Sequence, residues 1–504
     1  MIRLTKALTA AALLLIAGAA QAQPAARVKI EGGVLVGIAD EKANIFRNIP
    51  FAAPPVGALR WAPPQAAKAW PGERMAVLPG PSCPQPMNAD GSPNLGAANG
   101  PTSEDCLQLN VFAPNAAKAA PVMVWIHGGG HRTGAGWIYD GRNFARDGVV
   151  VVTINYRLGA LGYFAHPALT RAARPGEPLG NYGLMDQIAA LKWVRRNIAA
   201  FGGDPRNVTV FGESAGGMST LALLATPAAR GLYQKAIVES GLGWARPETL
   251  AAKEAQGAAA LAKAGVPAVA TAADLRALPV ETLVAIEAEY QPFTDGRLMT
   301  ETAAQALARG HFADVPLIIG SNSGEDSLMG ARLVGEPYLT AVGALSAGPY
   351  KDDAARGDAQ FVARAFVTDR LMGAPARWVA AEASGGKPAW LYYFSYVGSR
   401  FRPAMTRAAH AAEIQYVFEY WGRRTPMSLV SDEDRAMASL MHACWVSFAK
   451  TGAPSCGRGG WPAYAPASGQ LMEFGSDPGV RANFRKAQLD FQQAAVLPTL
   501  ALGK

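Results

Sequence analysis

The sequence is thin in charge, in histidine and in cysteine: 17% of its 504 residues are charged, six are His and four are Cys. Four cysteines in so long a chain exclude a disulfide-dense scaffold. Half the residues are apolar, with 11 Trp, 18 Phe and 14 Tyr, so the low charge excludes a disordered chain and supplies a large core. Gly (54) and Pro (36) follow no period, which excludes a collagen-like chain. There is no internal repeat, coiled coil or basic run, so the formal charge of +8 reads as a surface property and no nucleic-acid partner is expected. Past the N-terminus no run of about 18 apolar residues occurs, so the mature chain is expected to have no membrane span. Metal-ligand spacings such as H-E-x-x-H are missing. His127 and His131 stand four apart, but the three glycines between them will not hold a helix, so no metal and no cofactor is expected.

The N-terminus has the one apolar run of note. Arg3 and Lys6 precede Ala7–Ala19, and Ala20-Gln21-Ala22 has the small-x-small form of a cleavage site. The run falls short of the roughly 20 residues that cross a bilayer. Residues 1–22 therefore read as a signal peptide cut before Gln23, leaving 23–504 as the mature chain, periplasmic or secreted. Cleavage removes Arg3 and Lys6 and lowers the net charge by two. In an oxidising compartment the four cysteines form two bridges most simply, with three pairings open. The short-range pairing is Cys83–Cys106 with Cys444–Cys456; each bridge is worth about 3 kcal/mol on chain-entropy grounds. The first would close a loop, 88–103, rich in Gly, Pro, Asn and Ser.

At roughly 100–200 residues per domain the length allows two to four domains, yet no composition break divides the mature chain. One large domain with insertions fits better. Apolar, β-branched runs predict strands at 121–126, 149–155, 207–211, 236–238, 316–319 and 389–394. Leu184, Ile188, Leu191 and Val194 recur at helical spacing and predict a helix over 183–198, running into a Gly202-Gly203-Asp204-Pro205 turn. A second helix is expected from Ala215, and the Ala-rich stretch 251–273 reads as a surface helix pair. Strands alternating with helices give an α/β fold with a mostly parallel sheet.

Gly212-Glu213-Ser214-Ala215-Gly216 matches G-x-S-x-G, a weak signal as a bare string. Its context carries the weight: a β-branched strand before it, a small-residue helix after it. A tight strand-to-helix turn needs glycine on both sides, lifts the serine clear of the sheet and sets it beside helix N–H groups. His127-Gly128-Gly129-Gly130 also follows a strand, and the N–H groups of Gly129, Gly130 and Ala215 suit an oxyanion. A serine nucleophile needs a base. His127 and His131 belong to the glycine loop, His166 and His311 to other loops, and His442 to an apolar helix pattern, which leaves His410. The acid lies between Ser214 and His410. Glu325 and Asp326, both in a polar loop after strand 316–319, are equal candidates on composition. Glu213 reads as a buried carboxylate beside the nucleophile.

These features resemble the type-B carboxylesterases, the esterase/lipase family that includes the cholinesterases. The likeness rests on 46–52 (FRNIPFA) with Pro54-Pro55-Val56-Gly57, on 104–111 (EDCLQLNV), the glycine loop, 201–217, and the Glu325 and His410 segments, in family order over nearly the whole mature chain. The resemblance implies an α/β-hydrolase fold with helical lid insertions, an exported serine carboxylesterase acting on a small-molecule ester, and Ser214, Glu325 and His410 as the triad. It implies Gly129, Gly130 and Ala215 as the oxyanion hole and Cys83–Cys106 as the N-terminal disulfide loop; Cys444–Cys456 rests on the residues alone. Cholinesterases hold a quaternary ammonium on a tryptophan of the disulfide loop. No aromatic residue stands between Cys83 and Cys106, so choline ester specificity is not expected. Many relatives carry an aromatic or small apolar residue after the glycine run, where this chain has His131-Arg132, so these two are candidate substrate contacts; Arg132 either meets a carboxylate on an acidic ester or is a solvated loop arginine. The alternative is a specialised esterase for a bulky, polymeric or carboxylate-bearing ester. A catalytically silent adhesion protein is disfavoured by the intact Ser, Glu, His and glycine loop.

Overall fold

Apolar runs rich in β-branched residues fold into one sheet whose two faces are filled by different helices. The computed structural model describes residues 25–88, 98–244, 247–334, 336–422, 425–456 and 460–503. The expected signal segment 1–22 and residues 89–97 of the disulfide loop lie outside the described residues.

The strands are β1 (Ala25–Ile30), β2 (Gly33–Ala39), β3 (Asn44–Pro50), β4 (Glu73–Met75), β5 (Gln108–Ala113), β6 (Ala120–Ile126), β7 (Val150–Ile154), β8 (Gly203–Glu213), β9 (Lys235–Glu239), β10 (Leu317–Asn322), β11 (Ala389–Phe394), β12 (Leu471–Phe474) and β13 (Gly479–Arg481). They lie in the order β1-β2-β3-β5-β7-β6-β8-β9-β10-β11-β12-β13, with β4 beside β2. From β7 to β12 every neighbouring pair is parallel. β1, β2, β3, β5 and β7 pair antiparallel in succession, and β13 closes the far edge antiparallel to β12. The predicted turn at 202–205 is tighter than expected. Gly202 alone turns the chain, at φ +80°, where a Cβ would stand 2.4 Å from the Ala117 carbonyl oxygen, and β8 starts at Gly203.

Period-two alternation sorts the side chains. Val122, Val124 and Ile126 of β6 join one core with Leu184, Ile188, Leu191 and Val194 of helix α1 (Tyr182–Asn197) and Leu221 and Leu224 of α2 (Ala215–Ala225). Met123 and Trp125 face the other way, onto Met441, Trp445 and Phe448 of a later helix, α4 (Asp432–Thr451). Each fully buried aliphatic side chain contributes about 1.5–3 kcal/mol. The Ala-rich stretch forms α3 (Leu250–Lys263) and a short turn of helix at Ala272–Arg276. Both short-range disulfides are formed, with Cα atoms 5.0 Å apart in each. Among the described residues no helix is long and apolar enough to cross a membrane.

The consequence for function is positional. The glycine loop leaves the carboxyl end of β6, Ser214 that of β8, Ser240 that of β9 and Glu325 the segment after β10, so these groups meet at one edge of the sheet.

Candidate active site

The turn from β8 into α2 holds Ser214 at φ 55° and ψ −122°, a conformation that costs about 1–3 kcal/mol and persists only where the surroundings enforce it. They do so here through contacts that exclude side chains. A Cβ on Gly216 would stand 1.9 Å from the Ile126 carbonyl oxygen, and one on Gly212 would stand 2.6 Å from the Gly216 carbonyl carbon. The Ser214 N–H donates to the Glu239 carbonyl oxygen at 2.8 Å, which ties the elbow to β9. Ala215 opens α2, so its N–H is one of the helix's unpaired donors.

The glycine loop curls over this helix end. Gly129 (φ +101°) and Gly130 (φ +61°) adopt left-handed backbone, and the N–H groups of Arg132 and Thr133 both close back onto the Gly129 carbonyl at 3.0 Å. His131 anchors the turn. It is buried, with Nδ1 3.0 Å from the Tyr290 carbonyl oxygen and Nε2 3.0 Å from Ser219 Oγ, one turn along α2. Both ring nitrogens are thus taken by the protein, so His131, expected as a substrate contact, instead sets the loop against α2. His127 stacks on Tyr156 with ring centroids 4.5 Å apart, and Tyr156 Oη donates to the His127 carbonyl oxygen. Burial lowers both imidazoles to about 4, the carbonyl contacts opposing it, so both are neutral at pH 7.

His410 arrives on a loop latched to the segment after β10. Gly324 N–H donates to the Ala408 carbonyl at 2.7 Å, and the His410 N–H donates to Ser327 Oγ at 2.9 Å. The imidazole then sits between two carboxylates, with Nδ1 2.5 Å from Glu325 Oε2 and Nε2 3.0 Å from Glu213 Oε1. Of the two acids left open on composition, Glu325 contacts His410 and Asp326 does not. Glu325 is fully buried, and its Oε1 accepts from Ser240 Oγ (2.6 Å) and the Asn322 N–H (2.7 Å). Asp326 turns away to Arg407, 2.9 Å off, and to Thr368.

His410 Nδ1 is hydrogen-bonded to Glu325, while Glu213 Oε1, at ion-pair distance from Nε2, accepts no hydrogen bond; the two carboxylates together favour the imidazolium. Burial opposes that charge, but Glu213 and Glu325 outweigh it and raise the His410 pKa well above the ordinary imidazole value. Two further buried carboxyls stand behind the ring. Glu239 Oε1 accepts from Trp445 Nε1 at 2.8 Å, and Glu413 accepts from Asn322 Nδ2. Burial raises Glu239 to about 8, with the Trp445 N–H opposing and Glu213 adding to it. Burial, then Glu213, Glu239 and Glu325, raise Glu413 well above the carboxylate range. Sequence reasoning had found Glu213 but neither of these. The available signals were a Glu ending the apolar strand KAIVE, in register with Glu213, and a Glu three residues after His410.

On one side of His410 opens an apolar cavity of about 450 Å³ walled by Tyr139, Phe401, Met405, Phe418 and Trp421. Cys83–Cys106 clasps the segment before β5, while Cys444–Cys456 joins α4 to the chain that follows it. Among the described residues the one group of side chains with metal-ligand spacing is Asp147, Glu419 and His442. Arg146 already pairs with both of these acids, as expected of an ion-pair cluster. His442 packs on Phe144 within α4, as its helical pattern suggested.

Residues 24–492 match the model of the carboxylesterase family. The chain belongs to that family. It is 37% identical over 481 residues to the fumonisin B1 esterase of Sphingopyxis macrogoltabida, covering 89% of this chain and 86% of that one. It is 36% identical over 472 residues to the para-nitrobenzyl esterase of Bacillus subtilis, covering 87% and 92%. A solved PNB esterase superposes with a TM-score of 0.77 at 35% identity, covering 92% of this chain and 99% of that one. A carboxylesterase of Geobacillus stearothermophilus does so at 0.76 and 31% identity, with the same coverage. This carboxylesterase has the α/β-hydrolase fold and is a serine hydrolase of carboxylic esters, and its family acts on small ester substrates. Its two disulfides fit an extracellular protein.

Proposed function

We propose that Ser214, Glu325 and His410 form the catalytic triad and that the N–H groups of Gly129, Gly130 and Ala215 hold the oxyanion. The observation carrying this is the strained Ser214 elbow meeting, at one sheet edge, a histidine whose Nδ1 is bound to Glu325. Neutral His410 takes the hydroxyl proton at Nε2 as Ser214 Oγ bonds to the ester carbonyl carbon. The tetrahedral oxyanion is held by the three N–H groups, each worth about 3–4 kcal/mol in the transition state. Collapse breaks the ester C–O bond, and the alkoxide leaves with the proton from Nε2. Water, deprotonated by the same nitrogen, then splits the acyl-Ser214 bond and releases the acid. A stopped-flow burst of p-nitrophenolate equal to the enzyme concentration, from a p-nitrophenyl ester, tests the acyl-enzyme; a strictly linear onset with every ester tried would count against its accumulation, and no turnover would count against the whole reading.

Because Glu213 favours the imidazolium, it governs the acid limb of the pH profile. Activity needs neutral His410 and so rises with pH through that pKa. Glu213→Gln removes one anion that raises it, so the acid limb of kcat/KM should move to lower pH. A limb that stays in place would separate Glu213 from the base.

Residues 23–504 are proposed as one hydrolase domain, exported by a signal peptide over 1–22; the disulfides support the compartment. The apolar cavity beside His410 supports an ester with a bulky apolar group on one side of the carbonyl.

A further inference from the structure

The esterase neutralises its buried guanidiniums with carboxylates. Arg60 pairs with Glu104, Arg157 with Asp186, Arg407 with Asp326, and Arg485 with both Asp353 and Asp369. The reason is physical: a charge taken from water costs several kcal/mol unless an opposite charge meets it. Other part-buried arginines without an ion pair, such as Arg74, Arg276 and Arg370, are hydrogen-bonded by neutral groups of the protein; among the described residues the Arg132 side chain has neither kind of partner. It is part-buried, its Nε is buried without a hydrogen-bond partner, and among the described residues it forms no ion pair with a carboxylate within 4.0 Å. Its backbone is fixed, because its own N–H closes the turn onto Gly129 and the adjacent His131 is bonded on both ring nitrogens. Tyr290, whose carbonyl holds His131, lies close enough to feel the Arg132 charge.

An unpaired, partly dehydrated guanidinium two residues beyond the oxyanion glycines is a half-made ion pair whose other half the protein does not supply. We propose that Arg132 is a specificity residue for esters carrying a carboxylate, its guanidinium binding the second acid group while Gly129, Gly130 and Ala215 hold the reacting carbonyl. This rests on the triad assignment made above. The interaction reaches the transition state and the ground state alike, since the carboxylate is charged in both, so it acts chiefly on KM and on kcat/KM.

The test compares matched esters of the purified esterase. p-Nitrophenyl butyrate is the neutral reference; p-nitrophenyl hemisuccinate carries the carboxylate on the acyl side, and 4-carboxyphenyl butyrate carries it on the alcohol side. Arg132→Gln should cost one of the two carboxylate-bearing esters roughly 10- to 100-fold in kcat/KM, the size of a charge-assisted hydrogen bond, and change the neutral ester less than about twofold. Which ester loses shows on which side the guanidinium lies. Arg132→Lys should restore part of the preference, and added salt should erode it in the wild type and in Arg132→Lys but not in Arg132→Gln. Equal losses on all three esters would overturn the proposal, as would a shift of the acid limb on the neutral ester, which would make Arg132 a partner of the glutamate cluster instead. Failure of the wild type on every ester, neutral included, would fell the triad assignment; turnover of the neutral ester with no Arg132-dependent preference would fell this inference alone.

Discussion

Ser214→Ala should lower kcat on a short-chain p-nitrophenyl ester by at least about 10⁴-fold, while circular dichroism and the unfolding midpoint change little. The size follows from what the hydroxyl does. Without Oγ no acyl-enzyme forms, and only oxyanion donors and binding remain, which leave a residual of about 10³–10⁴ over water in a serine hydrolase of this design. The structural side of the expectation follows from the elbow. Ser214 Oγ makes no hydrogen bond among the described residues, so alanine leaves no buried partner unsatisfied, and the strained backbone is set by Gly212, Gly216 and the Ser214 N–H to Glu239 bond, all kept in the variant. Activity within tenfold of the wild type would remove Ser214 from the chemistry.

Glu325→Gln should cost about 10⁴-fold in kcat for a different reason. Two donors, Ser240 Oγ and the Asn322 N–H, point at Oε1, so the amide of glutamine can place only its oxygen there. Its NH₂ then faces His410 Nδ1, which must become an acceptor. The imidazole proton is driven to Nε2, the nitrogen that has to receive the Ser214 proton. The fold tolerates the change, because glutamine keeps the volume and both inward hydrogen bonds. Because Glu325 also raises the His410 pKa, the residual activity should extend to lower pH than the wild type's. Glu325→Asp keeps the charge and shortens the reach, and should recover part of the rate. A loss smaller than tenfold in Glu325→Gln would mean that another group orients the ring.

The parts of this site that could be read from the sequence are those encoded over a few neighbouring residues. The β-branched run into Gly212–Gly216 predicts an elbow because the clash with Ile126 and the helix is unavoidable for any side chain there. The strand at 389–394 appears as predicted, since AWLYYF is apolar throughout and buried on both faces of a parallel sheet. What could not be read depends on contacts far apart in the chain. Choosing Glu325 over Asp326 from residues alone requires knowing that Arg407 returns beside Asp326. The buried acids Glu239 and Glu413 become a cluster only when β9 and the His410 loop are brought together behind the ring. His131 looked available to substrate because its two anchors, Tyr290 and Ser219, lie 159 and 88 residues away. The first edge of the sheet was missed for a related reason: strands such as Ala25–Ile30 and Glu73–Met75 carry charged, half-exposed residues and weak apolar runs, and are held by pairing with β2.

The central claim is that Ser214 is the atom-donating nucleophile of an acyl-enzyme esterase, and covalent trapping tests it most directly. The purified protein is treated with a p-nitrophenyl phosphonate ester, digested, and mapped by tandem mass spectrometry. The account predicts stoichiometric loss of p-nitrophenolate, complete inhibition, and a single phosphonyl group on Ser214 of the peptide spanning Gly212–Gly216. Inhibition with the label on any other residue, or full esterase activity retained after the reagent has been consumed, would contradict it.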